Sequence, residues 1–377
     1  MKLAVPKETS AGEQRVALVP GELARLRAIG IDVAVQSGAG EAALYPDRDY
    51  EEAGASLYRE VRELYQGADL VAKVRAPAPE EAQLLPEGVS LLSFLAPSAH
   101  LDLVRVLAQR KVTAFSFELL PRISRAQAMD ALSSQATVAG YKGALIAANR
   151  LFKFFPLFMT AAGTVPPARV LVMGAGVAGL QAIATARRLG AVVSAYDVRP
   201  AAKEEVKSLG ASFLELQLEA QEGTGGYAAA QSEEFLARQQ ELISTHVAAS
   251  DVVITTAAVP GRPAPVLVTE PMVRGMRPGS VIVDLAAGSG GNCELTKPDQ
   301  EVLAYGVHVI PAAELASSMP THASSLYSRN VSSFVQLGVK EGHWAPDFSD
   351  EIIDKSAVTL DGAVHHAPTQ TLLEGEK

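Results

Sequence analysis

Apolar residues fall along this chain in short runs separated by amphipathic stretches. Residues 3–6 read as a strand, 21–29 as a helix stopped by Gly30, and 32–36 as a second strand before the Gly38-Ala39-Gly40 turn. Apolar runs at 70–74, 91–95 and 113–117 predict further strands, with a helix over 101–109. Such alternation predicts a parallel sheet covered on both faces. From Ser124, a plausible N-cap, to about residue 149 the chain is rich in Ala, Leu, Met and Gln and predicts one or two long helices linking two domains. An aromatic cluster at 152–158 reads as core on composition.

A second alternating block follows. Strands are expected at 170–173, 192–196, 212–216, 251–255, 280–285 and 307–310, with a helix over 180–189 ended by Gly190. Six strands with intervening helices suit a dinucleotide-binding domain. Residues 217–246 read as a long, functional loop. A further helix is expected over 324–338, and the polar tail beyond it is expected to return to the first domain. The fold class is therefore α/β: two Rossmann-like domains with parallel sheets, a cleft between them, and long helices linking them. The boundaries are drawn at 1–126 with 321–377 for the first, discontinuous domain, and at 127–320 for the nucleotide-binding domain with its linker helix.

The strongest motif is Gly174-Ala175-Gly176-Val177-Ala178-Gly179, directly after an apolar strand and opening a helix. Gly174 permits the tight turn, Gly176 lets a pyrophosphate reach backbone, and Gly179 lets helix and strand approach. The helix N-terminus offers unpaired N–H groups and a positive dipole end to phosphates. Asp197, 23 residues after Gly174, ends the next strand. It suits ribose hydroxyls and repels a 2′-phosphate, favouring NAD(H) over NADP(H); Arg199, two residues on, could hold that phosphate. Val177, Ala178, Val198 and Ala257 complete the cofactor-binding candidates in this block.

Composition narrows the rest. The 377 residues carry a net charge of −9, which argues against a nucleic-acid partner. One cysteine, Cys293, excludes an internal disulfide framework, and the seven histidines show no ligand spacing, so no metal is expected. The N-terminus is too short in apolar residues for a signal peptide. The longest uncharged apolar stretch, 170–186, is shorter than the roughly 20 residues a spanning helix needs, so no direct membrane span is expected.

Four stretches carry a family resemblance: PKETSAGEQRVALVPG, PRISRAQAMDALSSQ, GAGVAGLQAIATARRLGA and PGRPAPVLVTEPMVRGMRPGSVIVDLAAGSGGNCELT. They resemble the alanine dehydrogenase/pyridine nucleotide transhydrogenase superfamily over essentially the whole chain. The nearer resemblance is to the NAD(H)-binding domain of proton-translocating transhydrogenases of Re/Si specificity. It implies direct hydride transfer from NADH to NADP⁺ on a partner, coupled to proton translocation in other polypeptides. It also implies an NADP(H)-binding beta subunit, a separate membrane-spanning subunit, a homodimer, and a cytoplasmic, peripheral location on the cytoplasmic face of the inner membrane through partner subunits. The chain ends without hydrophobic helices, so it resembles the split-subunit form. Arg122, Gln127, Asp130 and Ser133 match the residues that position the dihydronicotinamide, and Gln127 and Asp130 would share a helix face. Tyr227, in GTGGYA, matches a mobile-loop tyrosine that closes over the nucleotide.

The alternative is a stand-alone NAD-dependent alanine dehydrogenase. Oxidising an amino acid requires a general base near the nicotinamide; ring-to-ring hydride transfer does not. Lys73 and Arg15 match the lysine and the carboxylate-binding arginine of alanine dehydrogenases, but Ala96 stands where their histidine falls, with His100 four residues on. Gly288 stands where a more polar residue is expected. A catalytically silent nucleotide-binding protein is a third reading, disfavoured by the complete Arg122, Gln127, Asp130 and Ser133 set. Cys293 reads as structural, with the neighbouring Glu294 raising its thiol.

Overall fold

A computed structural model describes residues 1–215, 233–258 and 263–375. The chain divides into two compact units, 1–135 with 316–377, and 136–315. The division falls at Gln135/Ala136 and Leu315/Ala316, against the 126/127 and 320/321 boundaries drawn from the sequence.

The first unit holds an eight-stranded sheet. In spatial order the strands are Ala363–Val364, Ala357–Leu360, Thr113–Ser116, Ser90–Ser93, Leu70–Ala72, Lys2–Val5, Asp32–Gln36 and Ser56–Tyr58. The first two run antiparallel to their neighbours and the other six are parallel. Alternation along each strand splits the core in two. Leu3, Val5, Val33 and Val35 pack under the Pro20–Arg27 and Pro320–Gly338 helices. Ala4, Ala34, Val71 and Leu91 face the Leu101–Gln109 helix instead. The tail read as poorly patterned forms helices Glu351–Ser356 and Ala367–Gly375 and the two antiparallel edge strands.

In the second unit the order is Ser212–Phe213, Val192–Tyr196, Arg169–Met173, Val252–Thr255, Val281–Asp284, Val307–Pro311 and Val302–Ala304. The first six are parallel and the last is an antiparallel edge that the sequence reading missed. Numbered along the chain, the parallel strands lie 3-2-1-4-5-6, the doubly wound dinucleotide-binding order. The strand order therefore reverses between Arg169–Met173 and Val252–Thr255, and ligands bind outside the carboxyl ends of strands at such a switch point.

Three expectations are corrected. Part of the segment read as a long loop is the helix Glu233–Ala249. Of the one or two long helices expected from Ser124, one is long, the α-helix Ala131–Arg150, and it is preceded by a short 3₁₀ helix, Ser124–Met129. The break falls at Asp130, whose ψ of 83° is not helical. Finally, the aromatic cluster is not core. Phe155 is buried, but Phe152, Phe154 and Phe158 are exposed, as are Leu157 and Met159. The cluster leads into an antiparallel hairpin, Phe158–Thr160 with Gly163–Val165. Among the described residues, no helix is long and apolar enough to cross a membrane.

Candidate functional site

The glycine turn sits at the carboxyl end of Arg169–Met173 and runs into the helix Val177–Arg188. Its three glycines serve three purposes. Gly174 has φ +98°, and a Cβ there would come 2.7 Å from Thr256 Oγ1. At Gly179 a Cβ would lie 1.9 Å from the Gly174 carbonyl oxygen, so only glycine lets helix and turn approach this closely. Gly176 differs: its φ is −75°, and a Cβ would meet nothing within 4 Å. The open face thus lies over the middle glycine.

Gly176 is also the N-cap residue of the helix, and no side chain caps it. The N–H groups of Val177, Ala178 and Gly179 have no partner within a helix by geometry. They stand at the positive end of the helix dipole, beside the open face. This is the cradle that a dinucleotide pyrophosphate requires, and the residues present fit that group.

Asp197 follows the neighbouring strand and lies against the glycine turn. Its side chain is only 7% exposed, whereas that of Arg199 is 58% exposed. Oδ2 accepts from the Ala175 N–H (2.7 Å) and Arg199 Nη2 (3.0 Å). Oδ1 accepts from the Arg199 N–H (2.8 Å) and Nε (3.0 Å). Burial pushes this carboxyl up, but the Arg199 and Ala175 donors outweigh it and hold it below its ordinary value. Val198 projects outward, 75% exposed.

Two residues that the sequence reading missed fix the other wall. Asn292 is fully buried. Its Oδ1 accepts from the Ala257 N–H (2.9 Å) and its Nδ2 donates to the carbonyls of Ala257 (2.8 Å) and Pro265 (2.7 Å). Both backbone polar groups of Ala257 are therefore engaged by Asn292, and Ala257 offers a ligand only its surface. Asn292 is itself held by Asp284, also fully buried, which accepts from Thr255 Oγ1, Thr296 Oγ1 and the N–H groups of Ala286, Asn292 and Cys293. Thr256 then donates from Oγ1 to the Gly174 carbonyl (2.9 Å). Asp284 and Asn292 thus fix Ala257, and its chain neighbour Thr256 bonds the glycine turn. The signal in the sequence was a lone carboxylate ending an apolar strand run before a glycine-rich loop, a pattern that asks for buried donors. Cys293 is buried and its thiol is pushed up to about 11, by burial first and by Asp284 as well, rather than by Glu294. It is inert.

In the first unit, Arg122 and Gln127 are exposed, while Asp130 and Ser133 are half-buried. Asp130 caps the Ala131–Arg150 helix: Oδ1 accepts from the Ser133 N–H (2.9 Å) and Oδ2 from Ser133 Oγ (2.6 Å). The cap is therefore Asp130 rather than Ser124, and Gln127 and Asp130 do not share one continuous helix. Asn330 pins the segment by donating to the Ala128 carbonyl (3.0 Å) and accepting from Ser134 Oγ (2.7 Å). Gln127 borders a groove of about 540 Å³ together with Arg25, Arg329 and Asn330. Tyr227 lies outside the described residues.

Lys73 and Arg15 are buried in this same unit, at 1% and 4% exposure. Neither cation is available to a substrate carboxylate without breaking an internal pair. Lys73 Nζ donates to Glu81 (2.6 Å) and lies 3.5 Å from Glu8. Arg15 makes a two-point contact with Glu13, at 2.7 and 2.6 Å, and donates to Gln135 (2.9 Å). Burial pushes Glu8 up despite Lys73. Glu13 is also pushed up by burial, but the Arg15 hydrogen bonds and charge win and take it to about 2. At Ala96, φ is +43° and the N–H donates to Glu118. His100 caps off the adjoining loop, its Nδ1 2.8 Å from the Leu95 carbonyl. Among the described residues, no cluster of His, Cys, Asp and Glu could hold a metal.

Comparison with known proteins fits this arrangement. Residues 4–139 match the family model "Alanine dehydrogenase/PNT, N-terminal domain" and residues 143–367 its C-terminal counterpart. An NAD(P) transhydrogenase alpha-subunit polypeptide of Rhodospirillum rubrum is 45% identical over 97% of this chain and 98% of its own length. The alanine dehydrogenase of Halomonas elongata is 34% identical over 79% of this chain and 76% of its own. Among solved structures, a transhydrogenase from Sinorhizobium meliloti superposes with a TM-score of 0.88 at 42% identity, covering 97% of this chain and 100% of that one.

Proposed function

We propose that this chain, which belongs to the alanine dehydrogenase/PNT family, is the NAD(H)-binding alpha subunit of a split NAD(P) transhydrogenase. NAD(H) is its cofactor, and its hydride goes to NADP⁺ on a beta subunit. The observation that carries nucleotide binding is the uncapped helix terminus beside the open face of Gly176. The N–H groups of Val177, Ala178 and Gly179 hold the pyrophosphate, and Asp197 takes the adenosine ribose hydroxyls. Arg122, Gln127, Asp130 and Ser133 position the nicotinamide; Asp130 and Ser133 do so as one hydrogen-bonded pair at a helix start. Bound NADH supplies the hydride.

A donor of hydride to another nicotinamide must align two rings and keep water away, with no proton to remove. The first unit suits that task better than amino-acid oxidation. Ala96 offers no imidazole, and Arg15 and Lys73 are neutralised by Glu13, Glu8 and Glu81. In the second unit, Gly288, exposed on its loop, provides no acid or base. The Rhodospirillum rubrum relative, at 45% identity, is itself named a transhydrogenase alpha subunit.

Coupling to proton translocation belongs to separate membrane-spanning subunits, which would hold this chain at the cytoplasmic face. A homodimer is supported by the apolar patch of Phe152, Phe154, Leu157, Phe158 and Met159, a contiguous stretch of the kind that marks an interface. The test is hydride transfer from NADH to an NADP⁺ analogue with a distinct reduced absorbance, in the presence and absence of the beta subunit. Transfer is expected only in the mixture.

A further inference from the structure

We infer that Arg15, a buried cation that the hydride-transfer scheme leaves without a task, is a positioning residue: through Gln135 it fixes the roll of the helix that begins with the Asp130–Ser133 pair. The inference rests on the transhydrogenase reading, in which that pair holds the nicotinamide.

Gln135 lies two residues after Ser133 in the helix Ala131–Arg150. At about 3.6 residues per turn their side chains leave the axis roughly 200° apart, so a hold on Gln135 determines where Ser133 points. Gln135 is 7% exposed, and both ends of its amide are engaged. Its Oε1 accepts from Arg15 Nη1 (2.9 Å), and its Nε2 donates to the Ala323 carbonyl (3.1 Å) and to Ser134 Oγ (3.2 Å). Ser134, between Ser133 and Gln135, donates to Asn330. The first turn is thus anchored on two further faces, and Arg15 supplies the charged anchor. A hydrogen bond from a charged donor is shorter and stronger than a neutral one.

Arg15 is itself a fixed post. Nε and Nη2 are both engaged by Glu13, which leaves Nη1 for Gln135. Glu13 also accepts from Arg75 Nε (2.9 Å). On either side of Arg15 the backbone is tied to the 316–377 segment: the Gln14 N–H donates to Ser317 Oγ (2.9 Å) and the Val16 N–H to Ser324 Oγ (3.0 Å). A buried ion pair contributes little net stability, because desolvation offsets its attraction; what this one supplies is a defined direction for Nη1. The consequence is kinetic. Nucleotide affinity comes from the Gly174–Gly179 turn, so a loosened helix start leaves binding in place. It misplaces the ring instead, and a displacement of about 1 Å can cost roughly 100-fold in rate.

Three variants separate positioning from mere support. Gln135→Met removes the acceptor, and Arg15→Lys keeps a charge for Glu13 but has no second arm for Gln135. Tyr50→Phe removes a different buried hydrogen bond in the same unit, to the Leu18 carbonyl (2.8 Å). Single-turnover transfer from NADH to an NADP⁺ analogue is measured in the mixture with the beta subunit, beside NADH dissociation constants from fluorescence and thermal melts. Q135M and R15K are expected to slow transfer at least about tenfold while NADH dissociation constants stay within about twofold. R15K/Q135M should be no slower than the slower single variant, because both break one contact. Y50F should melt lower and transfer at the wild-type rate. Wild-type transfer by Q135M and R15K, a double variant whose loss is the product of the two, or a Y50F slowed as much as Q135M overturns the inference. Should R15K fold poorly, E13Q/R15M, which removes both buried charges, takes its place. A wild-type mixture without transfer would overturn the transhydrogenase reading, and the role of Arg15 with it.

Discussion

Replacing Gly176 by alanine should abolish most nucleotide affinity without touching the fold. At φ −75° an alanine is unstrained, and its Cβ meets nothing within 4 Å. Removing a glycine from such a position stabilises by about 0.4–1 kcal/mol through the unfolded chain. The new methyl instead occupies the space where a pyrophosphate reaches the N–H groups of Val177 and Ala178. Each charge-assisted bond lost or lengthened is worth about 1.5–3 kcal/mol, or roughly 10- to 150-fold in dissociation constant. Gly179→Ala supplies the contrast. Its Cβ would lie 1.9 Å from the Gly174 oxygen, which is backbone, so turn and helix must separate. Such overpacking costs about 1–3 kcal/mol or more, which lowers Tm by roughly 2–12 °C for a unit of this size. The assay pairs an NADH titration with a thermal melt for both variants. G176A should melt with the wild type and bind at least about tenfold more weakly. A G176A protein that binds NADH as tightly as the wild type would refute the placement of the pyrophosphate.

Other expectations follow from the same contacts. Asn292→Ala removes three hydrogen bonds, to the N–H and carbonyl of the half-buried Ala257 and to the carbonyl of the exposed Pro265, at about 0.5–1.5 kcal/mol each; a melt should show the loss, and KM for NADH should rise more than kcat falls. Glu13 is 1% exposed and held at about 2 by Arg15, below its ordinary 4.5, so its contribution is present above pH 4.5 and lost as pH falls toward 2. The shift corresponds to about 3 kcal/mol, and stability measured across that acid range should fall less steeply in Glu13→Gln; an unchanged acid limb would contradict this. Phe154→Asp with Phe158→Asp changes two exposed side chains, so the melt should stay within a few tenths of a kcal/mol while sedimentation shifts from dimer to monomer. A wild type that sediments as a monomer would remove the patch as a self-association surface.

The strands of the second unit were readable because most are nearly continuous apolar runs closed by glycine or a polar residue, as in 170–174. What escaped reading lacked that contrast. Ser56–Tyr58 is three residues long, and the strand Val302–Ala304 pairs only at an edge. The aromatic run at 152–158 has core composition, yet five of the apolar residues around it face outward, which composition cannot reveal. The helix break at Asp130 was hidden in a breaker-free stretch, because a cap needs only a carboxylate three residues before a suitable N–H. Gly174, Gly176, Gly179 and Asp197 could be picked out as candidates by their spacing alone. Their supports could not, because Asn292 and Asp284 act across 35 and 29 residues of chain, on Ala257 and Thr255.

The most direct measurement is single-turnover hydride transfer from NADH to an NADP⁺ analogue. It is run with this chain alone, with the NADP(H)-binding beta subunit alone, and with both together. The account predicts rapid transfer in the mixture, none from either component, and no NAD⁺-dependent oxidation of L-alanine by this chain. Reduction of NAD⁺ with L-alanine, and no transfer in the mixture, would contradict it and return Lys73 and Arg15 to the centre of the chemistry.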